Sequence, residues 1–315
     1  MVRPLIQVLL IEDNPTDALL LREAVGEDAL ASFVFTIAES LKAGLGLLRQ
    51  DHFDVVLLDL GLPDSQGLKS FEMVNSAFPE KPVVVLSGTA DQMLALEAVQ
   101  LGAQDYLVKG STGWEIASRA MRYAIERKRM EERLHHMATH DALTGLPNRT
   151  LFHDRLTHAI ELSRRLSSGK SEKWELAVML LDLDNFKSAN DTYGHQQGDL
   201  LLQAVTEQLR KCVRESDTVA RMGGDEFTLI FENVSGEDDV AGLARKVLST
   251  FDQPFQFGDH ELKVTASVGI SLYPRDGQDA QVLLSRADIA MYRAKRLKNT
   301  FKFYEEQAST NTGMG

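Results

Sequence analysis

Residues Thr218–Glu232 read TVARMGGDEFTLIFE. Two β-rich stretches flank Gly223 and Gly224, the mark of a tight hairpin. Paired glycines admit positive φ and leave room for a ligand against the backbone. Asp225 and Glu226 follow at once. A Gly-Gly hairpin with acidic neighbours is common by itself, so its meaning depends on what surrounds it.

Upstream, Leu176–Leu181 predicts a strand that runs into DLDNFKSAN (Asp182–Asn190). A carboxylate at a strand end, followed by a tight turn with exposed amides, makes a metal and phosphate site. Asp225 and Glu226 are expected to face it. DTYGHQQGD (Asp191–Asp199) then leads into a predicted helix over Leu200–Val213. Asn190 and Asp199 offer an amide and a carboxylate. A carboxylate can accept two N–H bonds from the Watson–Crick edge of guanine, a donor pair that adenine lacks. Further upstream, His140 precedes DALTGLPNR (Asp141–Arg149). Gly145 and Pro147 predict a turn there, and Asn148 a cap for a helix over Arg149–Leu166. Downstream, VTASVGIS (Val264–Ser271) predicts a strand and ADIAMYRAK (Ala287–Lys295) a helix.

Together these motifs resemble the GGDEF family of diguanylate cyclases, over about residues 139–305. The resemblance implies an α+β, palm-like antiparallel sheet flanked by helices. It implies that Asp182, the Leu183 carbonyl and Asp225 hold Mg²⁺ or Mn²⁺, with Glu226 completing the hairpin near the metals. Asn190 and Asp199 would read guanine. The amides of Phe186 and Lys187 would cradle the β and γ phosphates, Lys295 would neutralise them, and Gly223 and Gly224 would leave the substrate space. The implied reaction joins two GTP into cyclic di-GMP and releases two pyrophosphates, with Asp225 the candidate to help activate the attacking hydroxyl. One domain binds one GTP, so catalysis would need a homodimer. Arg214 and Asp217, as Arg-x-x-Asp, match the family's product-inhibition motif. One departure lies in AKRLKNTFKFY (Ala294–Tyr304), which lacks the family's usual Gly and is shortened by one residue. Lys298 is the candidate second phosphate-binding cation there.

The N-terminal block has a different rhythm. Ile6–Ile11, Val55–Leu58, Val83–Leu86 and Tyr106–Val108 read as buried parallel strands. Ala18–Val25, Leu68–Ala77 and Ala90–Leu101 read as helices between them. In such doubly wound sheets, ligands sit beyond the carboxyl ends of the strands. Glu12, Asp13, Asp59, Ser87 and Lys109 fall at those ends. Converging carboxylates call for a divalent cation, and oxygen-only ligands suit Mg²⁺. With Tyr106, this ordered set resembles the receiver domain of response regulators, a flavodoxin-like α/β fold, over roughly residues 5–125. The resemblance implies that Asp59 is the phospho-acceptor, supplied by a sensor histidine kinase or phosphotransfer donor. Glu12, Asp13 and the Gly61 carbonyl would help hold Mg²⁺. Ser87 and Lys109 would contact phosphoryl oxygens, and Tyr106 would turn inward when Ser87 moves. Gly110 departs from the proline usual after the lysine.

Between the blocks, Gly113–Thr139 lacks internal Gly and Pro. Ile116, Ala120, Tyr123, Arg127, Met130, Leu134 and Met137 step by 4 and 3, a heptad seam with one polar break. It predicts a coiled-coil dimer helix. The expected division is 1–112 receiver core, 113–140 terminal receiver helix and coiled-coil dimer linker, 141–306 cyclase and 307–315 a frayed tail.

Composition agrees with this layout. The 315 residues fit two domains, and 43% apolar content fits a folded chain. The net charge of −12 divides into −9 over 1–112, +2 over 113–140 and −5 over 141–315. That balance argues against coating nucleic acid or anionic membrane. No apolar run reaches a membrane helix's length. The single Cys212 excludes an internal disulfide framework and suits a reducing cytoplasm. Two other functions use the same residues: a degenerate cyclase that senses GTP or cyclic di-GMP, and an adaptor in which only the receiver works. Loss of Asp182, Asp225 or Asn190 would favour the sensor, and all three are present.

Overall fold

The structure is a computed structural model that describes residues 3–26, 28, 30–88, 92–167, 175–257 and 260–306. The tail 307–315 lies outside the described residues. The chain separates into two compact units, Met1–His135 and His136–Gly315.

In the first unit, β1 (Leu5–Ile11), β2 (Ser32–Ala38), β3 (Val55–Asp59), the two-residue pair β4 (Gly61–Leu62) and β5 (Ser65–Gln66), β6 (Val83–Ser87) and β7 (Asp105–Val108) alternate with helices. These are α1 (Pro15–Gly26), α2 (Leu41–Gln50), α3 (Leu68–Ala77), α4 (Gln92–Gln100) and α5 (Ser111–Thr139). The main sheet runs β2-β1-β3-β6-β7, all parallel. Helices cover both faces, so β3 and β6 are buried throughout and read as continuous apolar runs. One core joins α1 and α5 to the sheet through Leu21, Val25, Ala117 and Met121. The other joins α2, α3 and α4 through Leu48, Phe71, Val74 and Ala98. The strand order reverses between β1 and β3, and that switch point is where such sheets bind ligands.

The sequence reading omitted β2 and α2. It also needs correction along α5. Ala120 is buried in the receiver core, and Arg127 Nη1 donates to the Gln104 carbonyl at 2.9 Å. Both therefore belong to the receiver-facing side. Tyr123, Met130, Leu134 and Met137 remain 61–74% exposed.

The second unit contains α6 (Arg149–Ser167), β8 (Glu175–Leu183), α7 (Phe186–Tyr193), α8 (His195–Cys212), β9 (Thr218–Gly223), β10 (Glu226–Val234) and α9 (Glu237–Ser249). There follow the small pair β11 (Phe255–Phe257) and β12 (His260–Leu262), then β13 (Ala266–Tyr273), α10 (Ala280–Lys295) and β14 (Thr300–Phe303). The sheet order is β14-β13-β8-β10-β9. It is antiparallel except at β13–β14, which is parallel. Side chains alternate across β8. Met179, Leu181 and Leu183 face the core beneath α7, α8 and α9, while Leu176 and Val178 face α6 and α10.

Three boundaries differ from expectation. The segment after Asp182 is a short helix, α7, and α8 already begins at His195. The strand read at Val264 starts two residues later. The last helix starts at Ala280, where the Asp279 side chain accepts from Val282 N and caps it. No helix among the described residues is long and apolar enough to cross a membrane.

Candidate functional site

In the receiver unit, strand ends bring the predicted residues together. Glu12 follows β1, Asp59 ends β3, Ser87 ends β6 and Lys109 follows β7. The Lys109 ammonium lies 2.7 Å from Glu12, 3.0 Å from Asp59 and 3.2 Å from Asp17. Asp17, on α1, is a contact that sequence reading missed. The carboxylates of Glu12, Asp13 and Asp59 offer oxygens all within 4.8 Å of one another, Glu12 and Asp59 buried and Asp13 exposed. Burial pushes the Glu12 carboxyl up, Asp59's charge adds to this, and Lys109 opposes it. Burial disfavours the Lys109 charge, but its bonds to Glu12 and Asp59 outweigh that and raise it. Glu12 Oε2 is buried against the Lys109 ammonium. Such a cluster fits a small oxygen-seeking divalent cation. At Gly61 a Cβ would stand 3.3 Å from Asp59 Oδ2, so the missing side chain keeps the acceptor open. Tyr106 is half-buried on β7 and packs against the α2–α3–α4 core.

In the second unit, the hairpin forms as predicted. Gly223 (φ 132°) and Gly224 (φ 55°) both take positive φ, and an added Cβ at either would meet open space. Glu226 pairs with Asp182 across β10 and β8. Leu183 N donates to the Asp225 carbonyl at 3.3 Å, which fixes the loop to the end of β8. From the C-terminal end of α10, Lys295 Nζ reaches Asp182 Oδ2 at 2.8 Å. Burial first, with the charges of Asp225 and Glu226, pushes the Asp182 carboxyl up to about 6 against the opposing pull of Lys295. Among the described residues, only Glu12, Asp13 and Asp59 bring three ligand oxygens within 4.8 Å of one another; at Asp182 the neighbouring acids act through their charge.

The turn after β8 is left-handed at Asn185 (φ 61°), and α7 starts at Phe186. Phe186 and Lys187 are therefore its first two residues, whose N–H groups have no intrahelical acceptor. Lys298 Nζ donates to Asn185 Oδ1 at 2.9 Å, so it stands at this same turn. Lys298 (φ 58°) and Asn299 (φ 46°) are both left-handed, in the stretch where the usual Gly is missing. Asp184, which sequence reading did not single out, is buried. It accepts from Thr265 Oγ1, Ser267 Oγ and Asn299 N at 2.6, 2.7 and 3.1 Å. Its role is to hold the turn, and alternating strand burial gave no signal for it.

Asn190 on α7 and Asp199 on α8 flank the bend at Gly194 (φ 84°). A Cβ on Gly198 would collide with Asn190 Oδ1, so the Asn190 amide rests directly on α8. The segment 141–149 braces the hairpin. Asn148 Oδ1 accepts from Thr150 and Leu151 N and caps α6. Arg221 Nη1 binds Asp141 at 2.9 Å, while its Nε and Nη2 bind the Gly224 carbonyl at 3.0 and 2.8 Å. Arg214 and Asp217 lie in the link between α8 and β9. Arg214 N donates to Asp217 Oδ2 at 2.9 Å, and Asp217 N to the Arg214 carbonyl at 3.1 Å. Burial, with Asp217's charge, raises the neighbouring Glu232 carboxyl.

Comparison with known proteins agrees with both units. Residues 138–300 match the family described as Diguanylate cyclase, GGDEF domain, and residues 8–120 match Response regulator receiver domain. The chain is similar to MucR of Pseudomonas aeruginosa, a bifunctional diguanylate cyclase/cyclic di-GMP phosphodiesterase. They are 45% identical over 184 residues, 58% of this chain and 26% of MucR. It is 39% identical over 164 residues to the diguanylate cyclase TpbB of P. aeruginosa, 52% of this chain and 36% of TpbB. The chain thus spans about a quarter to a third of these relatives' length. Among solved structures, a truncated P. aeruginosa TpbB comprising only the GGDEF domain matches with TM-score 0.50 and 35% identity. That match covers 53% of this chain and 94% of that one. The coiled coil and GGDEF domain of DgcB from Caulobacter crescentus, in complex with c-di-GMP, matches with TM-score 0.51 and 26% identity, over 60% and 98%. The chain belongs to the GGDEF diguanylate cyclase family and carries a response-regulator receiver domain ahead of its cyclase domain.

Proposed function

We propose that the chain is a phosphorylation-controlled diguanylate cyclase that condenses two GTP into cyclic di-GMP and two pyrophosphates. The observation that carries this is the Asp182 site: a buried carboxyl pushed up to about 6, facing Asp225 and Glu226 and touched by Lys295. Asp182, the Leu183 carbonyl and Asp225 would hold Mg²⁺ or Mn²⁺, with Glu226 beside them. The ion would lower the hydroxyl's pKa and offset charge on the α-phosphoryl oxygens. Asp225 accepts the proton of the 3′-hydroxyl. That oxygen bonds to the α-phosphorus of the facing GTP, and the bond to the β-phosphate oxygen breaks, releasing pyrophosphate. A second, equivalent transfer closes the ring. Lys295, Lys298 and the amides of Phe186 and Lys187 hold the β and γ phosphates, and Asn190 and Asp199 read guanine.

Each domain supplies half a site, so a homodimer completes it. The exposed stripe Tyr123, Met130, Leu134 and Met137 of α5 supports that assembly, as does the likeness to the DgcB coiled coil and GGDEF fragment. Asp59 is the phospho-acceptor for a histidine kinase or phosphotransfer donor. Glu12, Asp13 and the Gly61 carbonyl hold Mg²⁺, and Ser87, Lys109 and Tyr106 relay the change. Arg214 and Asp217 bind the product and inhibit. The lone, buried Cys212 suits a reducing cytoplasm.

The test is GTP with Mg²⁺, with and without beryllofluoride, assayed for cyclic di-GMP. Wild type should be stimulated, Asp59→Asn should not, and Asp225→Ala should be inactive. No product from activated wild type overturns the enzyme, and equal stimulation of Asp59→Asn overturns the switch. Arg214→Ala should release product inhibition.

A further inference from the structure

Lys109 Nζ donates to Asp17 Oδ2 at 3.2 Å, a hydrogen bond and ion pair across 92 residues of chain. Asp17 lies in the first turn of α1, its side chain 25% exposed. Glu12 and Asp59 meet the same ammonium, at 2.7 and 3.0 Å. Those two also belong, with Asp13, to the cluster suited to a divalent cation. Of the three acids around Lys109, Asp17 alone lies outside that cluster. It can keep hold of the ammonium when the other carboxylates are engaged elsewhere.

The fold fixes both ends of this contact. Ala18 and Leu21, one and four residues beyond Asp17, are buried in the core that joins α1 to the sheet. Ala18 N donates to the Asn14 carbonyl at 3.1 Å and closes the first turn. Lys109 N donates to the Ser87 carbonyl at 2.8 Å, which holds the lysine backbone to β6. Between these anchors runs the flexible four-carbon lysine stem, so the ammonium is aimed by the groups that accept its hydrogens. We propose that Asp17 is a positioning residue for phosphoryl transfer, holding the Lys109 ammonium where the incoming phosphoryl oxygens arrive. This rests on the reading that Asp59 is the phospho-acceptor, and goes beyond it by giving α1 a part in the rate. In the step, an Asp59 carboxylate oxygen bonds to phosphorus and the bond from phosphorus to the donor's leaving oxygen breaks. Lys109 offsets charge on the phosphoryl oxygens, and Asp17 acts only through Lys109.

The test gives the full-length protein Mg²⁺ and acetyl phosphate, which leaves as acetate, and follows the acyl phosphate by gel mobility. Asp17→Ala should slow transfer at saturating donor about tenfold, the equivalent of about 1.4 kcal/mol, with little change in KM. Asp17→Glu keeps a carboxylate that the flexible lysine can meet, and should recover to within about threefold of wild type. In a Lys109→Ala background, Asp17→Ala should change the rate less than about twofold, because no ammonium remains to be aimed. Calorimetric titration with beryllofluoride should repeat this pattern in affinity without any transfer step. An acid in a first helical turn also favours its helix, and an acid serving only α1 would cost as much with Lys109 absent as with it present. Equal losses in the two backgrounds would therefore overturn the inference, as would an undiminished rate in Asp17→Ala. Asp59→Asn is run alongside. Labelling of that variant at the wild-type rate would remove the acceptor reading and this inference with it, whereas a failure confined to the Asp17 variants leaves the acceptor in place.

Discussion

Arg221 joins Asp141 to the Gly224 carbonyl: one guanidinium holds a carboxylate at 2.9 Å and the signature loop at 2.8 and 3.0 Å. The hairpin that presents Asp225 is thereby tied to a turn 80 residues earlier in the chain. A shift of about 1 Å at a reacting group can cost about 100-fold in rate. We expect Asp141→Ala and Arg221→Ala each to lower cyclic di-GMP production by about that factor. Because both break one brace, the double variant should be no slower than the worse single one. Fully multiplicative losses would show that the two residues act separately.

The acidic site at Asp182 makes a pH-dependent prediction. Asp182 titrates near 3.8 when unfolded and about 6 when folded. Between those values the folded protein holds a proton that the unfolded chain has released. Stability from this group is therefore lost as pH rises through the window, by ~3 kcal/mol in all. Asp182→Asn imitates the protonated acid. In EDTA it should melt above wild type at pH 7, and the gap should shrink toward pH 5. A constant gap across that range would show that the carboxylate ionises there without cost.

Much of this was legible in the residues. Strand ends carry Glu12, Asp59, Lys109 and Asp182 because short apolar runs stop there, and Asn148 caps α6 as its side chain predicts. What was missed depends on distant partners. Helix α2 contains Gly44 and Gly46, a poor helical composition. Its first amides are capped by Asp64, more than 20 residues away, and Gly44 is required because its Cβ would strike Ile11. Strand β2 is an edge strand with little full burial, so its alternation is faint. Ala120 and Arg127 fit a heptad by spacing, yet the receiver's own surface claims them.

The exposed remainder of α5 carries its own prediction. Leu134 is 64% exposed, between Met130 and Met137. Leu134→Glu should leave the receiver folded, shift the protein toward monomer in sedimentation, and lower cyclase activity at least about tenfold. Cysteines placed along the stripe should cross-link differently with and without beryllofluoride. Identical patterns would rule out a change of register on phosphorylation.

Lys298 combines strain with contact. Left-handed backbone costs a non-glycine residue about 1–2 kcal/mol, part of which Gly returns in unfolded-state entropy. Lys298→Gly should therefore raise stability by up to about 1 kcal/mol. It also removes the bond to Asn185, so KM for GTP should rise. Lys298→Ala should raise KM without the gain in stability. A gain in both variants would show that the strain lies elsewhere.

Gly269 decides how close α10 can come to the sheet. It sits mid-way along β13, and a Cβ there would overlap the Ala287 carbonyl, Met291 N and Met291 Cα of α10. These are backbone atoms, which cannot swing aside as a flexible side chain can. The intimate crossing is what carries the far end of α10, and with it Lys295, to 2.8 Å from Asp182. Gly269→Ala should cost about 3 kcal/mol or more, because the helix must lift from the sheet. It should also weaken GTP binding in the protein that still folds. Lys295→Met should weaken GTP binding while leaving the melting temperature within a few degrees of wild type. If Gly269→Ala melted like wild type, the close approach of α10 would not be setting the position of Lys295.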